Sequence, residues 1–146
     1  MAITTSCNQV LKGQSMGPGV PEQYWELASQ YRDELIRQAA KVLRQTFRES
    51  DIIARLGGDE FVVLAAFDPS RTGEMVARLR AKLDTLNMDR PNEPALAMSV
   101  GVSSFQPGNT LEEVLADADR KMYADKAQRR ARAQEGKPAS DRSGSR

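Results

Sequence analysis

Asp59 and Glu60 stand directly after a Gly57-Gly58 pair and directly before the apolar run Phe61-Val62-Val63-Leu64. A second apolar run, Ile52-Ile53-Ala54, lies on the other side of the glycines. Two such runs around Gly-Gly read as a β-hairpin, because the tight hairpin turns need positive φ and glycine reaches it without steric cost. Acids are depleted from strands, so a pair at the mouth of an apolar hairpin asks for a reason. One reason is chemical: glycine amides let a phosphate come close, and an adjacent carboxylate can hold the divalent cation that accompanies a nucleotide. The other is plain exposure, since Gly, Asp and Glu are common in solvated turns. Upstream, Arg48 and Asp51 set a guanidinium fork of donors and a carboxylate acceptor three residues apart, a pair that could grip the polar edge of a ligand. A helix-end arginine paired with a strand-start aspartate has the same spacing. Downstream, Lys126 and Arg130 lie four apart. That helical step either aims both at one triphosphate or leaves both on a solvated basic helix end.

Composition removes several other chemistries. Histidine is absent, which excludes imidazole acid–base catalysis and imidazole metal sites. Cys7 is alone, so the chain forms no internal disulfide and suits a reducing, cytoplasmic setting. Lys and Arg number 21 against 20 Asp and Glu, and a net charge of +1 gives no electrostatic case for a nucleic-acid or membrane partner. No apolar run approaches the roughly 18 residues of a membrane span, and the start lacks a basic region followed by an apolar one. A hydrophobic content of 40% and 146 residues suit one soluble domain with one core.

The elements that must position these groups follow from periodicity. Residues 1–20 carry Gly13, Gly17, Pro18 and Gly19 and read as loop, with at most a short strand near Gln9 to Leu11. From Glu22 to about Arg48, Ala28, Tyr31, Leu35, Ala39, Val42, Leu43 and Phe47 recur at helical steps after Pro21. The hairpin spans 51–67. Met75, Val76, Leu79, Leu83 and Leu86 mark a second helix, and Ala95 to Phe105 a strand. Thr110 and Glu113 form a capping box for a last helix that buries Leu111, Val114, Leu115, Ala118 and Met122. The pattern predicts an α/β fold, an α+β sandwich in which a mixed sheet with a central hairpin is flanked by helices. Domain limits are expected at 1–20 for a divergent or disordered segment, 21–128 for the folded domain, and 129–146 for a disordered tail. That tail is expected from its six basic and two acidic residues among Ser, Gly and Ala.

The string Gly57-Gly58-Asp59-Glu60-Phe61 resembles the name-giving motif of the GGDEF family, the bacterial diguanylate cyclase domains. By residue usage alone such a pentamer arises in a chain this long about once in ten thousand sequences. The flanks are similar as well: Asp33-Glu34-Leu35-Ile36, Ala39, Leu43, Arg48, Asp51 and Ala54-Arg55 before the motif, Met98 to Val102 and Leu115 to Lys126 after it. The resemblance covers about residues 30–128 and implies a nucleotide-cyclase-like fold. It implies that two GTP are joined into cyclic di-GMP with release of two pyrophosphates, with a Mg2+ (or Mn2+) cofactor and a homodimer in which each half-site holds one GTP.

Residue by residue, the resemblance implies Asp59 and Glu60 as catalytic and metal-binding, and Gly57, Gly58, Asp33, Lys126 and Arg130 as GTP-binding. Arg48 and Asp51 correspond to an inhibitory cyclic di-GMP site. The family's second metal carboxylate belongs to an Asp-x-Asp pattern on its first strand. Counting back from Asp33 at family spacing puts that strand near residues 10–17, which read Val-Leu-Lys-Gly-Gln-Ser-Met-Gly. No aspartate precedes Asp33, and Arg32 and Arg129 replace two family glycines. The expected outcome is a signalling domain of weak or absent turnover, the alternative being a non-catalytic cyclic di-GMP receptor.

Overall fold

A computed structural model describes residues 1–9, 22–93 and 95–135. The chain runs β1 (Ala2–Gln9), α1 (Glu22–Thr46), β2 (Ile52–Gly57), β3 (Glu60–Leu64), a 3-10 turn (Pro69–Arg71), α2 (Thr72–Asp89), β4 (Leu96–Ser103) and α3 (Leu111–Glu135). The four strands make one sheet in the order β2-β3-β1-β4. Every pairing in it is antiparallel, where a mixed sheet was expected. The hairpin therefore fills one side of the sheet, with β2 at its edge, and β1 inserts between β3 and β4.

β1 is the main departure from the sequence reading, which took residues 1–20 as loop. Ile3, Thr4 and Thr5 are β-branched and favour extended backbone, and Ala2 to Ser6 are all buried. A strand covered on both faces has no polar side to alternate with, so its periodicity is invisible. Residues 10–17, expected to hold the first strand, lie outside the described residues. The expected tail also begins later than 129, since α3 continues to Glu135.

Successive side chains leave a strand on opposite faces, and the register sorts them into two cores. On one face Ile3, Phe61, Val63, Met98 and Val100 meet Ala39, Val42 and Leu43 of α1 and Met75, Leu79 and Leu83 of α2. On the other, Thr4 lies between Val62 and Gly101, under Val114, Ala118 and Met122 of α3, which are buried. Gly101 has no side chain because none fits: a β-carbon there would collide with the Ala118 carbonyl and the Met122 amide. The capping box forms as expected, Thr110 N–H donating to Glu113 Oε2 (2.9 Å) and Glu113 N–H to Thr110 Oγ1 (3.2 Å). Two expected core residues are exposed instead, Tyr31 on α1 and Leu111 in the first turn of α3, at 44% and 43%.

α3 also closes the free edge of β4. Lys121 Nζ donates to Val102 O (3.1 Å), Val100 N–H to Asp125 Oδ2 (2.9 Å), and Arg129 Nη1 to Met98 O (2.7 Å). Three residues at four-residue steps thus satisfy backbone groups that an edge strand would leave bare. Among the described residues no helix is long and apolar enough to cross a membrane.

Candidate functional site

The hairpin turn is Gly58-Asp59, flanked by Gly57 and Glu60. Gly57 (φ +154°) and Gly58 (φ +51°) both occupy backbone conformations that side-chain-bearing residues rarely adopt. The pairing shifts register between Arg55 and Gly57, a bulge at Leu56 that tightens the twist and aims the loop. Arg55 Nε donates to Gly58 O (2.9 Å), tying the turn to its own strand.

Asp59 and Glu60 are half-buried. Glu60 pairs with Ser6 in the β1–β3 register, and Ser6 Oγ donates to Asp59 Oδ2 at 3.2 Å. Among the described residues, the one that meets the first acid of the motif from the neighbouring strand is therefore a serine, Ser6. Lys126, reaching from α3, places Nζ 3.4 Å from the same Ser6 Oγ, to which it donates. Ammonium, hydroxyl and carboxylate form one chain across three elements. Among the described residues no group of three or more Cys, Asp or Glu side chains is placed to hold a metal ion. The donor set at the hairpin, one aspartate with one glutamate beside it and a neutral hydroxyl opposite, does not fit a divalent cation held by carboxylates from two strands.

Arg32 reaches this site and its neighbour Asp33 has no described contact there. The Arg32 guanidinium lies against the turn, Nη2 being 3.5 Å from where a β-carbon on Gly58 would sit. Asp33 is exposed on α1, and Arg130 is exposed one turn beyond Lys126 on α3. Ser6 and Arg32 were missed as site residues. Arg32 could have been found as a charged residue displacing a small one beside Asp33, whereas Ser6 had no signal once β1 was read as loop.

The second cluster lies at the exit of α1. Arg48 N–H donates to Asp51 Oδ2 (2.9 Å), and Asp51 N–H returns to Arg48 O (3.0 Å). One carboxylate oxygen thus closes the turn between helix and strand. Arg48 and Asp51 line an open concavity of about 370 Å³ together with Arg44, Glu49 and Ile53. Arg44, one turn back on α1, was not anticipated. Of the α2 arginines, Arg78 donates to Thr46 O at this end of α1 (2.9 Å) and Arg80 pairs away with Asp125 (3.1 Å).

Comparison with known proteins places the matched region on these same elements. A family model described as "Diguanylate cyclase, GGDEF domain" matches residues 29–132. Diguanylate cyclase DgcP of Pseudomonas aeruginosa is 33% identical over 93 residues, which is 62% of this chain and 14% of that protein. The probable diguanylate cyclase DgcC of Escherichia coli K12 is 34% identical over 93 residues, 62% of this chain and 25% of that one. The chain thus spans a quarter or less of these relatives' length. In fold it is similar to the active GGEEF domain of a Vibrio cholerae diguanylate cyclase, with a TM-score of 0.63 at 17% identity over 87% of this chain and 76% of that one. It is also similar to the GGDEF domain of DgcB from Caulobacter crescentus in complex with c-di-GMP, with a TM-score of 0.60 at 21% identity over 87% and 73%.

Proposed function

This chain belongs to the GGDEF family of diguanylate cyclase domains, and we propose that it is a cyclic di-GMP signalling domain that keeps the dinucleotide site and has lost most or all turnover of GTP. In the family reaction each 3′-hydroxyl attacks the α-phosphate of the other GTP and pyrophosphate leaves, so a homodimer presents two half-sites. Phosphoryl transfer of this kind depends on positioning and on neutralising charge on the phosphates. The observation that carries the reading is Ser6 standing opposite Asp59 at 3.2 Å, where a second carboxylate would be needed. Diguanylate cyclases of this family are metal-dependent. Mg2+ or Mn2+ at this hairpin would have Asp59 and Glu60 as protein ligands, which leaves a hard cation mostly water-held, and no catalytic step is assigned through it. Gly57, Gly58, Asp33, Lys126 and Arg130 are the residues through which GTP would be bound, in a cytoplasmic setting.

The dinucleotide site rests on Arg48 and Asp51, which lie clear of the altered strand and line one concavity. The test is calorimetric titration with cyclic di-GMP beside an assay of GTP conversion. Arg48→Ala should remove a charge-assisted contact worth about 1.5–3 kcal/mol, roughly a tenfold to hundredfold loss of affinity. Robust conversion of GTP by the unmodified protein, abolished by Asp59→Ala, would refute the loss of turnover. Equal dinucleotide binding by the unmodified protein, Arg48→Ala and Asp51→Ala would refute the site.

A further inference from the structure

We propose that the hairpin binds nucleotide phosphates without a divalent cation, Lys126 and Arg32 supplying the positive charge. The inference rests on the reading of the hairpin as the nucleotide site. Three observations carry it. Lys126 Nζ is 3.4 Å from Ser6 Oγ, and Ser6 Oγ is 3.2 Å from Asp59 Oδ2. The hydroxyl thus accepts from the ammonium and donates to the carboxylate, and Asp59 already has a cation nearby with no metal involved. A second positive charge brought beside Asp59 would be repelled by that ammonium at close range. Second, the carboxylate that would outweigh the repulsion is missing, since position 6 is a neutral serine with 1% of its surface exposed. Third, Arg32 lies on the turn at Gly58, 3.5 Å from where a side chain would begin. The guanidinium thus stands within van der Waals reach of the turn whose backbone a phosphate would approach.

The two cations come from opposite faces of the sheet, Arg32 from α1 and Lys126 from α3. A guanidinium offers a planar fork of donors that matches phosphate oxygens, and an ammonium a compact point charge. Together they neutralise a polyphosphate as a cation would. They do not replace what a metal does to an attacking hydroxyl, which is to lower its pKa. A site of this kind holds GTP and leaves it intact.

The experiment is calorimetric titration of the full chain with GTP, once in EDTA and once in excess MgCl2, with a cyclic di-GMP titration of the same sample. GTP affinity in the two buffers should agree within about threefold, and Arg32→Met and Lys126→Met should each lower it about tenfold in both buffers. Ser6→Asp should make GTP binding depend on Mg2+ and create a Mn2+ site visible by electron paramagnetic resonance. Should that buried substitution fail to fold, the Arg32 and Lys126 variants still decide the matter. GTP binding that needs Mg2+ in the unmodified protein, or that neither methionine variant weakens, overturns the proposal. Absence of GTP binding in both buffers overturns it too. In that case retained cyclic di-GMP binding leaves the signalling reading standing, and loss of both ligands removes the two together.

Discussion

Gly101→Ala tests whether α3 is held as tightly to the sheet as the geometry demands. An alanine β-carbon at 101 would lie 2.9 Å from the Ala118 carbonyl carbon, with the Ala118 oxygen and the Met122 amide nearer still. Both obstacles are helix backbone, so no rotamer can relieve them. The Ala118 oxygen is the nearest obstacle, so α3 must retreat by more than about an ångström to restore ordinary contact, and a gap of that size forfeits at least about half of each contact's attraction. Val114, Ala118 and Met122 are the α3 residues that face the sheet, at 2%, 0% and 0% exposure. Burial of a Val or Met side chain stabilises by about 1.5–3 kcal/mol, so losing half of that for Val114 and Met122, with the usual cost of overpacking, comes to about 2–5 kcal/mol. For a chain of this size that lowers the melting temperature by roughly 6–15 °C. Thermal unfolding followed by far-ultraviolet circular dichroism measures it. Because Lys126 rides on the same helix, GTP affinity should fall in the same variant. A melting temperature within 2 °C of the unmodified protein would refute the packing argument.

Other expectations follow from single residues. Thr5 Oγ1 is buried without a hydrogen-bond partner, so Thr5→Val should stabilise by about 1 kcal/mol and raise the melting temperature a few degrees; a fall would place an unseen partner at that hydroxyl. Arg44 lines the same concavity as Arg48, and Arg44→Ala should weaken cyclic di-GMP about threefold to tenfold, with a shallower dependence on salt than the unmodified protein. Lys121, then the Ser103 hydroxyl, then Arg120 hold the Asp117 carboxyl well below its ordinary value of 3.8. A depressed carboxyl adds stability that is complete above its unfolded value and is lost as pH falls toward its folded one. The melting-temperature gap between the unmodified protein and Asp117→Asn should therefore hold steady from neutrality to about pH 5 and narrow below about pH 4; an unchanged gap at pH 3 would refute it.

The helices and the hairpin were legible because each has a solvent face. Ala39, Val42, Leu43 and Phe47 repeat at helical steps and all four are buried. Thr110 with Glu113 announces a helix start in the sequence and makes both bonds in the structure. β1 had no such contrast. It sits between β3 and β4 and under helices on both faces, so Ala2, Thr4 and Ser6 are as buried as Ile3 and Thr5, and short polar residues in a buried strand look like a loop. Distance along the chain then misled as well. The register of β1 is set by hydrogen bonds to its neighbours and not by the length of the connection to α1, and counting back from Asp33 assumed that the connection was fixed.

The same blindness governs the site. Everything carried on the hairpin and on the exit of α1 could be read locally, because Gly57 to Phe61 and Arg48 to Asp51 are contiguous in sequence. What decides the chemistry is not contiguous: Ser6, Asp59 and Lys126 are 53 and 120 residues apart in the pairs that touch. The sequence announced an aspartate missing somewhere before Asp33, and in the sheet the β1 residue bonded to Asp59 is Ser6, through its hydroxyl. A missing carboxylate could have left a hole, which water or a cation would fill. Here the position is bridged by a hydrogen bond to Asp59 on one side and by the Lys126 ammonium on the other, so the negative charge on Asp59 is partly answered from within the chain. Restoring an acid at position 6 would also place a carboxylate beside Lys126. Recovery of metal binding therefore depends on how far that ammonium yields, and Ser6→Asp combined with Lys126→Met should bind Mn2+ more tightly than Ser6→Asp alone.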